Sequence, residues 1–271
     1  MDLDAYLCRI GLADPPGANL AGLRALHRAH LRAIPYENLD VQFGRQVGIE
    51  REPIFEKMVT NRRGGWCYEM NGLFGWALEQ LGFEVTRVAG AVMREAMGDA
   101  FIGNHLVLKV ELDEGLYLAD VGFGDGPIDP VRLTPGEFES DGFTYGLEQL
   151  DETWWRLRNH PFGGAKSFDF SLAPADETLL AARCRELQTK AWSPFVQNLV
   201  CQRYVDGGLL VLRGRVMREV KPEGVTESTI ESARELLGVL DDRFGLQVPE
   251  AASLWPRICA RHKEIFAAAR P

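Results

Sequence analysis

Two changes of hydrophobic period along 271 residues predict an α+β fold, with helices first, an antiparallel sheet or barrel in the middle and a mixed α/β end. Over residues 3–83 the apolar spacing is three and four. Leu20, Leu23, Leu26, His27, His30, Leu31 and Ile34 share one helix face, and Pro35 stops that helix because its ring cannot continue the backbone bonds. Met70, Leu73, Phe74, Ala77, Leu78 and Leu81 mark a second, buried helix. Short alternating runs then take over, at 85–93, 106–112, 116–121, 144–150 and 154–157, separated by Gly, Asp and Pro clusters. A helical patch at 176–189 precedes two strands, 198–204 and 209–213, joined by Asp206-Gly207-Gly208. Helical spacing returns at 226–237 and 254–268. No internal repeat or low-complexity linker interrupts the chain, so its regions, 1–83, 84–190 and 191–271, are expected to be parts of one compact body.

Composition sets broad limits. With 46% hydrophobic residues the chain can bury a sizeable core, as one large domain or as two or three small ones. A formal net charge of −9 argues against general binding to nucleic acid or anionic membranes, while an anionic small molecule needs only local cations. No run approaches the roughly 18 apolar residues of a membrane span. The start Met1-Asp2-Leu3-Asp4 does not read as a signal peptide, so a cytoplasmic location is expected. Cys8, Cys67, Cys184, Cys201 and Cys259 are odd in number, scattered and without a C-x-x-C pair. Reduced thiols are expected from this, and neither a disulfide framework nor a metal site.

The segment Arg62-Arg63-Gly64-Gly65-Trp66-Cys67-Tyr68-Glu69 sets one thiol straight after a glycine pair and at the start of the second helix. In a first helical turn the unpaired N–H groups and the helix dipole favour thiolate, and the two arginines add to this. The same N–H groups can hold an oxyanion formed when sulfur attacks a carbonyl. A cysteine among aromatic residues is also how a packed small hydrophobe looks, so the reading depends on its partners. Those lie downstream. Residues 104–112 alternate, with His105, Val107, Lys109 and Glu111 on one side, and 116–124 read as a second strand after the turn Asp113-Glu114-Gly115. Pairing position i with about 228 − i brings His105 close to residues 121–123, within a residue or two of Asp120. A histidine that titrates near neutrality can take the thiol proton, and a carboxylate can fix its tautomer and stabilise the imidazolium. Cys67, His105 and Asp120 are thus candidates for nucleophile, base and orienting acid.

Four segments in this order resemble the arylamine N-acetyltransferases: Pro35-Tyr36-Glu37-Asn38-Leu39, Arg63 to Glu69, Asn104-His105 and Asp120-Val121-Gly122-Phe123-Gly124. Weaker similarity continues through Ser193-Pro194-Phe195 and Asn198 to the C-terminus. The resemblance implies a helical bundle carrying the nucleophile, a central antiparallel β-barrel carrying His105 and Asp120, and a C-terminal α/β lid, around a core like that of cysteine proteases and transglutaminases. It implies acetyl-CoA as acyl donor, with no metal or prosthetic group, and an arylamine, arylhydrazine or N-hydroxyarylamine as acceptor. Acetyl would pass by a ping-pong mechanism through a Cys67 thioester. Tyr36, Phe123 and Phe195 are expected to line the acceptor pocket, and Glu37 to pair with Arg63 and support the cysteine loop.

The glycine-rich stretch Gly122-Phe123-Gly124-Asp125-Gly126-Pro127 lacks the Lys-Ser/Thr of a nucleotide P-loop, and no helical pattern follows it. The resemblance suggests that Gly122, Gly124 and Gly126 let backbone approach the pantetheine or pyrophosphate of CoA, although Asp125 would repel phosphate. His27, His30, His160 and His262 read as packed or surface histidines. Two further readings share the triad: an amide synthase that closes or releases a polyketide, and a transglutaminase-like cysteine hydrolase.

Overall fold

The structure, a computed structural model, describes residues 1–268. Helices α1 (Leu3–Arg9) and α2 (Leu20–Ala33) begin on side-chain caps, Asp2 accepting from the Asp4 amide and Asn19 from the Gly22 amide. The buried face of α2 carries Leu23, Leu26, His27, His30 and Leu31, as its spacing predicts. β1 (Tyr36–Glu37) and α3 (Leu39–Gln42) follow, then α4 (Arg51–Phe55), which widens into a π turn over Glu56–Thr60. α5 (Cys67–Gln80) is buried continuously from Cys67 to Leu78, because its apolar residues occupy every side and neighbours cover them all.

β2 (Glu84–Val92), α6 (Arg94–Met97) and a 3-10 turn at Asp99–Phe101 lead to β3 (His105–Leu112) and β4 (Gly115–Leu118). Leu112 faces Gly115 and Lys109 faces Leu118, so Asp113-Glu114 alone form the turn and the register is one residue tighter than anticipated. β5 (Val131–Arg132), β6 (Gly136–Ser140), β7 (Phe143–Gln149), β8 (Trp154–Arg158) and β9 (Ser167–Pro174) complete an eight-stranded antiparallel sheet. Its order is β5-β4-β3-β2-β9-β8-β7-β6. Laid flat, its two edges would lie about 33 Å apart. Three residues between β5 and β6 span only about 14 Å at full stretch, so the sheet must curl.

The curl stops short of the expected closed barrel: the structure has a half-barrel whose edge strands β5 and β6 do not pair. The connection explains this, since the Thr134 amide folds back onto the Arg132 carbonyl (2.8 Å) and Pro135 has no N–H to offer.

α7 (Glu177–Thr189), capped by Asp176, and α8 (Pro194–Gln197) precede β10 (Val200–Val205), β11 (Gly208–Arg213), β12 (Val216–Lys221) and β13 (Gly224–Thr229). The second sheet has the order β1-β10-β11-β12-β13, with Tyr36 opposite Gln202 and Glu37 opposite Cys201. Where helix was expected over 226–237, β13 runs to Thr229 and α9 (Ala233–Phe244) starts on its cap Ser232. Val225, Thr226 and Thr229 are β-branched, and β12 offers each residue of 224–229 a partner. A 3-10 segment, Pro249–Leu254, and α10 (Trp255–Ala268) end the described chain. Among the described residues no helix is long and apolar enough to cross a membrane.

Candidate active site

Two glycines fix the loop ahead of Cys67. The Gly65 amide donates to the Pro35 carbonyl (3.3 Å), and the Glu37 amide donates to the Gly65 carbonyl (2.9 Å). A Cβ on Gly64 would fall 2.0 Å from the Pro35 oxygen, and one on Gly65 would fall 2.7 Å from Glu69 Cβ, so neither position admits a side chain. The loop delivers Cys67 as the first residue of α5, where Glu69 Oε2 accepts from the Trp66 amide (3.2 Å).

A charge network backs this loop. Glu37 is fully buried; its Oε1 accepts from Arg63 Nε (3.0 Å) and Nη2 (2.7 Å), and its Oε2 accepts from the Leu39 amide (2.6 Å). Arg63 also reaches Asp40 (3.5 Å), and Lys57 bridges Asp40 (2.8 Å) and Glu69 (2.8 Å). Burial opposes ionisation of Asp40, but the Lys57 and Arg63 charges outweigh it and hold the carboxyl below its ordinary value. For Glu69 burial wins, and its carboxyl is raised against the pull of Lys57.

His105 opens β3, and Asp120 follows the end of β4 by two residues. Asp120 Oδ2 lies 2.7 Å from His105 Nε2, while Oδ1 accepts from Asn71 Nδ2 (2.7 Å) and the Gly122 amide (2.8 Å). Burial works against a charged Asp120; the charge and hydrogen bond of His105, then Asn71 and the Gly122 amide, outweigh it and hold the carboxyl below its ordinary value. Cys67 is 3% exposed. The amides of Leu106 and Tyr68 donate toward its sulfur, which sets the start of β3 beside the thiol.

Burial nonetheless pushes the Cys67 thiol well above its ordinary value, Cys184 and Asp120 adding to the effect. The expected help from two arginines is absent. Arg63 is held by Glu37 and Asp40, and Arg62 is exposed on a left-handed backbone with φ 52°.

Asn71 joins the parts of this site. Its Nδ2 also donates to the Leu106 carbonyl (2.6 Å), and its Oδ1 accepts from the Val121 amide (3.0 Å). The sequence reading singles out Cys67 but not Asn71, whose signal is its position four residues on, one turn along the same helix face. Two glycines admit these side chains. A Cβ on Gly122 would lie 2.6 Å from Asn71 Nδ2 and 2.9 Å from Cys67 Cα; one on Gly90, at an irregularity in the β2–β9 pairing, would lie 3.1 Å from His105 Cβ.

The three aromatic residues singled out in sequence surround this core from different elements. Tyr36 is buried, and its hydroxyl is raised by burial and then by Cys67 nearby. Phe123, half-buried, has its ring 5.9 Å from that of His105, and Phe195, also half-buried, packs edge-on to Trp66 at 5.2 Å. Phe168 of β9, which no sequence motif marks, joins them; its ring stands 5.1 Å from His105 and 4.7 Å from Phe123. Its one signal is the alternation with Phe170.

In the glycine-rich loop, Gly122 abuts α5, Gly124 lies against Gln202, and the Gly126 carbonyl accepts from Tyr145 (3.1 Å) and Tyr204 hydroxyls. Asp125 is buried within it, accepting from Asn159 Nδ2 (3.0 Å) and the Gly164 amide (2.5 Å). Among the described residues no group of three or more His, Cys, Asp and Glu side chains could hold a metal ion.

Comparison with known proteins identifies the lineage. Residues 19–253 match a family model described as N-acetyltransferase, and an arylamine N-acetyltransferase of Mycolicibacterium smegmatis is 36% identical over 93% of this chain and 94% of its own length. The chain belongs to the arylamine N-acetyltransferase family. An Escherichia coli member is 31% identical over 92% of this chain and 90% of its own. Among solved structures of the family, the M. smegmatis enzyme matches with a TM-score of 0.86 at 34% identity, covering 96% of this chain and 98% of its own. A Mycobacterium marinum enzyme in complex with CoA matches with a TM-score of 0.86 at 32% identity, covering 97% and 99%.

Proposed function

We propose that this protein moves an acetyl group from acetyl-CoA to an aromatic amine, hydrazine or hydroxylamine by a ping-pong route through Cys67. What carries the reading is the 2.7 Å contact between His105 and Asp120 beside a thiol at the start of α5, in a chain of this family. A neutral His105 that donates from Nε2 to Asp120 keeps its lone pair on Nδ1, free to act as base.

The Cys67 sulfur attacks the thioester carbonyl as its proton passes to His105. Collapse of the tetrahedral oxyanion breaks the bond to CoA, whose sulfur takes that proton. The acceptor nitrogen then attacks acetyl-Cys67 and gives a proton to His105; collapse releases the acetylated amine and the proton returns to sulfur. Because burial disfavours a lone thiolate, the imidazolium must stay beside it, and Asp120 stabilises that imidazolium. Tyr36, Phe123, Phe195 and Phe168 would offer flat apolar walls to the acceptor ring.

Residues 1–83, 84–190 and 191–271 are read as nucleophile-bearing, base-bearing and lid portions, and the nucleophile-helix, base-strand arrangement as that of cysteine proteases and transglutaminases. A cytoplasmic location fits an acetyl-CoA substrate. Incubation with acetyl-CoA alone should add one acetyl mass to Cys67, and an arylhydrazine should then remove it. Cys67→Ser should fold and show no turnover; wild-type rates from that variant would falsify the assignment, and release of free acetate with no acetylated amine would point to a hydrolase.

A further inference from the structure

Tyr36 of β1 and Gln202 of β10 lie opposite one another in the C-terminal sheet, so their side chains share a face. That face looks onto the glycine loop. A Cβ on Gly124 would fall 1.9 Å from Gln202 Oε1, and two residues along β10, on the same face, the Tyr204 hydroxyl donates to the Gly126 carbonyl. Tyr36 also forms a parallel bridge to Gly65, two residues ahead of Cys67. The pair therefore stands between the nucleophile loop and the loop that carries Phe123.

Tyr36 is 6% exposed and Gln202 8%, yet among the described residues neither the Tyr36 hydroxyl nor the Gln202 amide has a hydrogen-bond partner. Buried polar groups are nearly always partnered. The indole nitrogens of Trp66 and Trp155 are exceptions sealed in the interior, whereas the Tyr36 hydroxyl and the Gln202 amide keep some surface open. That surface adjoins the active site: after burial, the groups that raise the Tyr36 hydroxyl are Cys67, Asp125, Asp120 and Glu69. Phe123, Phe168 and Phe195 can offer no hydrogen bond, so this pair supplies the polar point of the proposed acceptor wall.

We infer that Tyr36 and Gln202 set acceptor specificity, favouring an aromatic amine that carries an uncharged hydrogen-bonding group such as a carboxamide over an apolar one of the same shape. A carboxamide oxygen accepts from the Tyr36 hydroxyl while its N–H donates to the Gln202 amide oxygen. An apolar substituent there cuts both groups off from water and leaves them unpaired, which is how polar sites reject analogues that lack the matching group. Burial and the nearby Asp120 carboxylate disfavour an anionic substituent. This specificity rests on the proposed acetyl transfer and adds which acceptors the site prefers.

The readout is a ratio: kcat/KM for meta- or para-aminobenzamide over kcat/KM for the isopropylaniline of the same substitution pattern, with acetyl-CoA as donor. The carboxamide weakens the amine as a nucleophile equally in every variant, so that effect cancels when ratios are compared. Tyr36→Phe and Gln202→Leu should each lower the ratio about tenfold for at least one isomer, the effect of one lost buried hydrogen bond. A ratio that holds for both isomers in either variant, an equal loss with both kinds of acceptor included, would overturn the inference and leave the acetyl transfer standing. If acetyl-CoA does not acetylate Cys67 in wild type, the proposed function fails, and calorimetric titration with the same amines decides the pair. Benzamide binding weakened more than isopropylaniline binding in both variants supports it; any other result overturns it.

Discussion

Asn71 spends no atom idly at the residue scale: one side chain holds the Asp120 carboxylate, the Leu106 carbonyl and the Val121 amide. Removing it leaves three buried polar groups short of a partner, and frees Asp120 to turn from His105. Asn71→Ala should therefore lower kcat/KM for acetyl transfer by about tenfold to a hundredfold. The same variant should leave the KM for the acceptor nearly unchanged, because the hydrogen bonds of Asn71 go to Asp120, Leu106 and Val121 and not to the aromatic residues. A wild-type pH–rate profile and rate from this variant would refute the role. The contrast with Cys67 explains what was legible. Cys67, His105 and Asp120 stand out in sequence because their side chains have reactive chemistry in motifs with a known order. Asn71, Phe168 and Lys57 are ordinary residues whose importance comes only from what tertiary packing sets against them.

Between elements, the decisive joint is where β1 and α3 meet the cysteine loop. Glu37 is fully buried and takes hydrogen bonds from Arg63 and the Leu39 amide, so it holds the loop at one end and caps the start of α3 at the other. Glu37→Ala leaves the Arg63 charge, at a site only 14% exposed, with Asp40 at 3.5 Å as its remaining partner. The loss should be about 3 kcal/mol, the lower end of the usual effect of breaking a buried pair by removing one partner, because Asp40 still offsets part of the charge. It should appear as a lower Tm together with slower acetylation of Cys67; a variant with both unchanged would remove the joint from the account. Element identity was readable where period and caps agreed, as in α2, α5, β2 and β3. It failed at 226–237, where β-branched residues and an available partner strand outweighed helical spacing. The two-residue β1 carried no pattern at all, since its pairing with β10 depends on residues more than 160 positions away.

Across the whole molecule, the curl of the eight-stranded sheet could not be read from alternation, which is the same in flat, curled and closed sheets; the short link from β5 to β6 decides it. Besides His105, the body so formed encloses three histidines. His27 and His30 of α2 are fully buried, and burial lowers both, His27 against the pull of the Ile128 carbonyl and His30 with the His27 and Arg9 charges adding to the effect. His160, packed among Phe143, Tyr145 and Phe162, is lowered by burial to about 4. In the unfolded chain each titrates near 6.5, so below that value the unfolded chain binds protons that the folded one refuses. Stability should therefore fall as pH drops from about 7 toward 4, each histidine contributing at most about 1.4 kcal/mol per pH unit. Asp40 and Asp120, held low, keep their contribution through this window and lose it only as pH falls through their own lowered values. Glu69 and Asp125 are raised by burial and slope the other way, so the informative comparison is between wild type and His160→Phe, in which they cancel. Thermal melts at pH 7, 6 and 5 should show Tm falling less steeply in His160→Phe than in wild type. Parallel slopes would mean that His160 takes up its proton in the folded state as readily as in the unfolded one.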